Sequence, residues 1–233
     1  MKTIGVIGGS TTFVTEEYYK AINHGIRQRL GGHHTAEIII NSMDFAKSAH
    51  FVENGLWEEG SEFLHGKALS LQRAGADFII CVSNTWHRCA DQFMNGIDIP
   101  LLHIVDPTAK AIAEGGYKKV ALLGTMVTMS EPFLKERFEQ FGLEIVVPTA
   151  DAQSVINTII FEELSKGEVR EESRAKYLAV VDELYTKGSE AVILGCTEIG
   201  LLIRQSDRPN IPMFDTLAIH VQAIVQLALS SHP

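Results

Sequence analysis

Lys118 to Thr125, KKVALLGT, decides the fold. It is a short aliphatic run that stops at a glycine, as a buried parallel strand does when it feeds a turn. The chain has already written this pattern once, at Thr3 to Gly9 (TIGVIGG). The echo continues downstream. Glu144 to Val147 (EIVV) repeats the core of Ala36 to Ser42 (AEIIINS). Ala191 to Leu194 (AVIL) runs into Gly195-Cys196-Thr197-Glu198, where Asp77 to Val82 (DFIICV) runs into Ser83-Asn84-Thr85. The exits also match: Ile99-Pro100-Leu101-Leu102 follows one series and Ile211-Pro212-Met213-Phe214 the other. Asp106 and Asp215 then stand as expected helix N-caps, the first with Pro107 at the favoured next position.

Between these strands lie amphipathic stretches. One predicted helix runs from about Thr15 to Leu30, with Ala21, Ile22, Ile26 and Leu30 on one face and Gly31-Gly32 ending it. Another carries Phe63, Leu64, Ala68 and Leu71 and closes near Gly75. Strands alternating with helices imply parallel crossovers. The expected architecture is therefore α/β: two pseudo-symmetric domains, each an open parallel sheet, with the active site in the cleft between them. The first is expected over residues 1–98 plus 211–233, the C-terminal helix (about Thr216 to Leu229) returning to it, and the second over residues 99–210.

Composition narrows the function. A net charge of −9 with no Lys/Arg run argues against nucleic acid as a partner. Neither a signal-peptide pattern nor a membrane-length apolar segment is present, so the chain is read as a cytoplasmic protein without a membrane partner. Three cysteines, Cys81, Cys89 and Cys196, show no CxxC or Cys/His ligand spacing, which predicts free thiols and no metal. The Gly8-Gly9-Ser10-Thr11 loop lacks the Gly-Lys-Ser/Thr ending of a phosphate-binding loop and is not GxGxxG. In open parallel sheets ligands bind beyond the carboxyl ends of strands. Four polar or glycyl tips lie there: Gly8 to Thr11, Ser83 to Thr85, Gly124-Thr125 and Cys196 to Glu198.

With these motifs in view, the chain resembles the aspartate/glutamate racemase family over essentially its full length. The residues that carry the likeness are IGVIGG (4–9), SNTWH (83–87), LLGTMVTM (122–129), GCTEIG (195–200) and FDTLAIH (214–220). The resemblance implies an enzyme that uses neither metal nor pyridoxal phosphate, is often a homodimer, and takes a small amino acid or dicarboxylate as substrate. It also implies a cysteine pair working on opposite faces of the α-carbon. Cys196 matches the second thiol, whereas Ser83 stands where the first is usual. An alkyl hydroxyl titrates several units above a thiol, a large handicap for proton abstraction. Three accounts stay open: a native, one-sided racemase, an engineered replacement, or a chain that no longer racemises. The same superfamily leaves a one-thiol decarboxylase open, and loss of catalysis would leave a binder. A second departure lies at Glu163-Leu164-Ser165-Lys166-Gly167, where relatives place a lysine at the position of Ser165 to meet a side-chain carboxylate.

Around the catalytic positions Cys196 and Ser83, the expected substrate contacts are Gly9, Ser10, Asn84, Thr85, Thr125, Thr128, Thr197 and Glu198. Small donors of this kind can meet the charge that forms on the α-carboxylate. A following helix N-terminus is expected to lower the Cys196 pKa. Glu198 is expected to take the thiol proton, orient the substrate amine or favour the next helix. Cys81 and Cys89 are read as packing, Cys89 on the helix after Ser83. Thr125 and Thr128 are alternatively helix caps, and Trp86, His87 and His220 are read as chiefly structural.

Overall fold

The computed structural model describes residues 1–230. It divides into two compact units: Met1–Ile104 together with the chain from His220 onward, and Val105–Ile219. Boundaries at 98/99 and 210/211 were expected. The difference follows from strand pairing. Leu101 bridges to Ile79, so the first proline exit stays with the first sheet, whereas Met213 to Asp215 pair in the second.

The first unit contains β1 (Ile4–Gly8), α1 (Thr12–Leu30), β2 (Ile38–Ser42), α2 (Phe45–Glu53), α3 (Trp57–Arg73), β3 (Phe78–Cys81) and α4 (Ala90–Phe93). Its sheet has the order β2-β1-β3, all parallel. The second unit contains α5 (Val105–Glu114), β4 (Lys119–Leu123), α6 (Met126–Ser130), α7 (Pro132–Glu139), β5 (Glu144–Val146), α8 (Ala150–Glu162), α9 (Glu171–Thr186), β6 (Ala191–Leu194), α10 (Ile199–Leu202) and β7 (Met213–Asp215). The order of its parallel sheet is β5-β4-β6-β7. The last helix, α11 (Thr216–Leu229), starts in the second unit and carries into the first.

The duplicated sequence is thus a duplicated topology. Even the proline exits are equivalent: Ile79 N–H donates to Pro100 O at 2.8 Å, and Val192 N–H to Pro212 O at 2.9 Å. Proline has no N–H of its own, so it suits an edge position where only its carbonyl is needed. Each sheet has its own core. Ile7, Leu64, Leu71, Ile79, Trp86 and Phe93 cluster in the first, and Leu123, Ile156, Leu164, Tyr177, Val192 and Leu194 in the second. Among the described residues, no helix is long and apolar enough to cross a membrane.

Local details depart from the sequence reading. Helix α1 starts at Thr12, capped by the Thr11 hydroxyl, and its buried stripe is Val14, Tyr18, Ile22 and Ile26. Leu30, expected on that face, is exposed because the stripe ends one turn earlier. Asp106 is not an N-cap. Helix α5 begins at Val105, and Asp106 forms a two-pronged ion pair with Arg137 on α7 at 2.7 and 2.9 Å. Asp215 does cap α11, accepting from the Leu217 and Ala218 N–H groups.

The return of α11 plants His220 in the first unit, fully buried. Its Nε2 bonds Leu102 O and its Nδ1 meets the Tyr18 hydroxyl, both at 3.0 Å. Burial, then nearby His87, pushes the His220 pKa down to about 3, against a smaller upward pull from the Leu102 carbonyl. The folded value lies below the ordinary 6.5, so below pH 6.5 the unfolded chain binds a proton that the native state refuses. Stability should therefore fall as pH drops from about 6.5 toward 3, by up to about 1.4 kcal/mol per pH unit. Urea midpoints for the wild type and His220→Gln between pH 7 and pH 4.5 check this. The glutamine variant should show the flatter pH dependence, and parallel slopes would remove His220 as the cause.

Candidate active site

Two strand ends form the core of the candidate site in the second unit. Gly124 follows β4 and Gly195 follows β6, and Gly195 N–H donates to Leu123 O at 2.6 Å. A Cβ on Gly124 would sit 2.9 Å from Gly195 O, and one on Gly195 would sit 2.8 Å from Leu123 O. Neither position has room for a side chain, so the two tips lie backbone against backbone. Just beyond, the Thr125 hydroxyl caps α6 by accepting from Thr128 N–H at 3.2 Å and shares a hydrogen bond with the Thr128 hydroxyl at 3.0 Å. Thr128 is wholly buried.

Cys196 is the next residue out. It is 7% exposed, and its Sγ donates to Glu198 Oε2 at 3.1 Å. The same oxygen accepts from the Thr197 hydroxyl at 2.9 Å. A thiol beside a carboxylate in a dry setting is held in its protonated form. Burial, and then the Glu198 charge, keep the Cys196 pKa well above the usual thiol range. The backbone N–H groups of Glu198 and Thr197 pull the other way but do not prevail. The expected lowering by a helix N-terminus is overturned: α10 starts only at Ile199 and is four residues long, a small dipole against a full carboxylate charge.

In the first unit, β1 ends at Gly8 and the chain turns at Gly9 with φ +90°. A Cβ there would lie 2.1 Å from Met43 O, so both the turn and the approach require glycine. Gly9 N–H donates to the Thr15 hydroxyl at 2.8 Å. Beside it, Ser10 Oγ is buried without a hydrogen-bond partner. An open cavity of about 500 Å³ adjoins this turn, lined by Gly9, Thr12, Thr15, Tyr19, Ser42 and Met43 among others.

The tip of β3 is built differently. Ser83 is 9% exposed, and its Oγ accepts from Trp86 N–H at 3.4 Å. Its carbonyl accepts from His87 Nδ1 at 2.7 Å, while His87 Nε2 accepts from Ile104 N–H at 3.3 Å. In this arrangement Nδ1 is the donating nitrogen of His87 and Nε2 the accepting one. His87 thus bonds the Ser83 carbonyl, and the Ser83 hydroxyl accepts from the Trp86 backbone. Asn84 and Thr85 follow it, both buried. Thr85–Cys89 is a 3-10 helix that leads directly into α4, with Cys89 at its end, on the helical segment after Ser83 as expected. Trp86 tightens it by packing against Gly60 and donating from its indole to Ser48 Oγ at 2.8 Å. Cys81 and Cys89 are buried, and burial pushes the Cys81 thiol up to about 12.

The Asp/Glu/Hydantoin racemase family profile matches residues 4–224. The chain belongs to that family. Membership makes it an enzyme of the isomerase class. It is 40% identical to a Yersinia pestis protein solved as a candidate Asp/Glu racemase, covering 99% of this chain and 100% of that one with a TM-score of 0.91. An aspartate racemase homologue from Pyrococcus horikoshii is 36% identical, with coverage of 99% and 100% and a TM-score of 0.84. The broad specificity amino-acid racemase RacX of Bacillus subtilis is 24% identical over 163 residues, 70% of each chain.

Within each unit, this family member collects the residues singled out in the sequence at strand ends. Gly9, Ser10, Ser83, Asn84 and Thr85 belong to the first unit, and Thr125, Thr128, Cys196, Thr197 and Glu198 to the second. Two residues of the second unit escaped the sequence reading. Asn157, on α8, accepts from Met126 N–H at 2.8 Å and so steadies the turn after Gly124. Tyr177, on α9, is buried in the same core cluster as Cys196. Both are polar positions inside helical patterns that otherwise read only as packing. Among the described residues, no group of three or more His, Cys, Asp or Glu could hold a metal ion.

Proposed function

We propose that this chain racemises a free α-amino acid by α-proton exchange at Cys196. One observation carries the reading: a thiol at the end of β6, in hydrogen-bond contact with a carboxylate that can take its proton. In the proposed step the S–H proton passes to Glu198 Oε2. The thiolate then takes the proton from the α-carbon, and the electron pair delocalises into the α-carboxylate. Return of a proton to the α-carbon completes the cycle. The sulfur moves the proton itself, so the scheme calls on no cofactor.

The growing charge on the carboxylate calls for preorganised donors. The proposed contacts in the second unit are Thr125, Thr128 and Thr197, with Glu198 also able to face the substrate amine. In the first unit they are Gly9, Ser10, Asn84 and Thr85. The unpartnered Ser10 hydroxyl supports this assignment, because a buried polar group without a partner is costly unless a ligand supplies one. Aspartate and glutamate, for which the family is named, are the reference substrates.

Ser83 is proposed to donate a hydrogen bond or hold a water, not to abstract a proton. The wild type should then exchange the α-proton of one enantiomer faster than it inverts the centre. L- and D-amino acids incubated in D₂O, followed by NMR and optical rotation, test both statements. Ser83→Cys should raise the inversion rate by about ten-fold or more, up to the roughly 10² to 10⁴ that a well-positioned acid–base group supplies. Binding without any exchange would sink the racemase reading. Exchange in the wild type without gain in Ser83→Cys would remove only the role given to position 83.

A further inference from the structure

In the first unit, the segment from Pro100 to Ile104 is tied down along its length. Ile79 N–H donates to Pro100 O at 2.8 Å, and Leu102 N–H donates back to Ile79 O at 2.9 Å. Leu102 O accepts from His220 Nε2 at 3.0 Å. Ile104, the last residue before the chain leaves this unit, donates from its N–H to His87 Nε2 at 3.3 Å. His87, His103 and His220 are all buried. The ring of His87 meets the other two edge to face, with centroids 4.4 Å from His103 and 6.4 Å from His220.

One nitrogen of His87 is therefore set on a fixed support, and the other faces the tip of β3. Nδ1 donates to Ser83 O at 2.7 Å, and the His87 backbone N–H donates to Asn84 O at 3.2 Å. A single residue holds two successive carbonyls of Ser83-Asn84-Thr85. The Ser83 carbonyl shares a rigid peptide plane with the Asn84 nitrogen, and that plane can swing only as a whole. Holding its oxygen limits the swing, and with it the directions in which the Ser83 and Asn84 side chains leave the backbone.

We infer that His87 is a positioning residue, which orients the Ser83-Asn84-Thr85 tip through the Ser83 carbonyl and is itself braced by Ile104. This rests on the role proposed above for position 83. A histidine that only filled space would have no need to match one nitrogen to an acceptor and the other to a donor. Reactive geometry is steep: a displacement of about 1 Å can cost on the order of 10² in rate.

The two amide replacements of histidine separate its two bonds. His87→Gln puts a carbonyl near the place of Nε2, so it can keep the bond from Ile104 N–H while losing that to Ser83 O. His87→Asn puts an N–H near the place of Nδ1 and does the reverse. The readout is the ratio of inversion to α-proton exchange in D₂O, since inversion draws on position 83 and exchange on Cys196 alone. His87→Gln is expected to lower that ratio by about ten-fold or more, and His87→Asn to recover most of it. A space-filling histidine would lower both rates together through the folded fraction. An unchanged ratio in His87→Gln, or equal falls in the two variants, therefore overturns the inference while leaving exchange at Cys196 intact. ¹⁵N NMR of the wild type tests the same geometry without a variant: the His87 imidazole should carry its proton on Nδ1 and leave Nε2 bare. A proton on its Nε2 overturns the inference whether or not the variants fold. Absence of exchange with every amino acid overturns it together with the racemase reading.

Discussion

Cys196→Ala is expected to abolish α-proton exchange, a loss of at least about a thousand-fold, with the fold intact. The size of the effect follows from the lack of a substitute. Among the described residues, the other two thiols are buried elsewhere, Cys81 inside β3 and Cys89 at the end of the turn after Ser83. Stability should change little by comparison, because the removed sulfur is small and leaves a modest cavity, costing about 1 to 2 kcal/mol. Circular dichroism and a urea midpoint separate the two effects, and exchange is read by NMR in D₂O. Exchange at more than about a tenth of the wild-type rate would strip Cys196 of its role.

The fold was legible because its signals are local and written twice. TIGVIGG and KKVALLGT each hold a strand and its turn in a handful of residues. The two proline exits mark the neighbour of the third strand in each unit, and the structure pairs both through the proline carbonyl. What escaped depends on distance along the chain. His220 meets Leu102 and Tyr18 far away in sequence, and no local pattern announces that contact. Asp106 reads as a cap but serves Arg137, a choice made by the packing of α5 on α7.

The candidate residues were legible as strand ends, and the electrostatics at those ends were not. Gly-Cys-Thr-Glu suggests a thiol activated by a helix. The hydrogen bond from Cys196 to Glu198, two residues on, reverses the sign of that expectation. Sequence spacing permits the contact without requiring it, because whether the Glu198 side chain turns inward depends on the short α10 and the burial around it. Glu163 shows the same limit. In the sequence it is one more acidic residue in a helix-ending stretch, whereas the burial of its Oε2 without a hydrogen-bond partner is a fact of packing alone.

Glu198→Gln should move two readouts in opposite directions. Glutamine keeps the shape and can still hydrogen-bond, but it carries no charge and cannot accept the thiol proton. The charge on Glu198 is one of the causes that hold the Cys196 pKa up, so its removal should let that pKa fall. Alkylation by iodoacetamide, with Cys196→Ala as the blank, should then be faster than in the wild type at pH 7 to 8, and its rate profile should shift to lower pH. Exchange should nevertheless drop by roughly 10² to 10⁴, the usual worth of a positioned acid–base group. A more nucleophilic yet less competent enzyme is the signature of a carboxylate that receives the proton rather than merely orienting the sulfur. Glu198→Asp, which restores the charge one carbon shorter, should recover part of the exchange and return the alkylation profile toward the wild type. If Glu198→Gln exchanges at the wild-type rate, the proton leaves Cys196 by another route. If its alkylation profile does not move, the carboxylate is not what holds the thiol protonated.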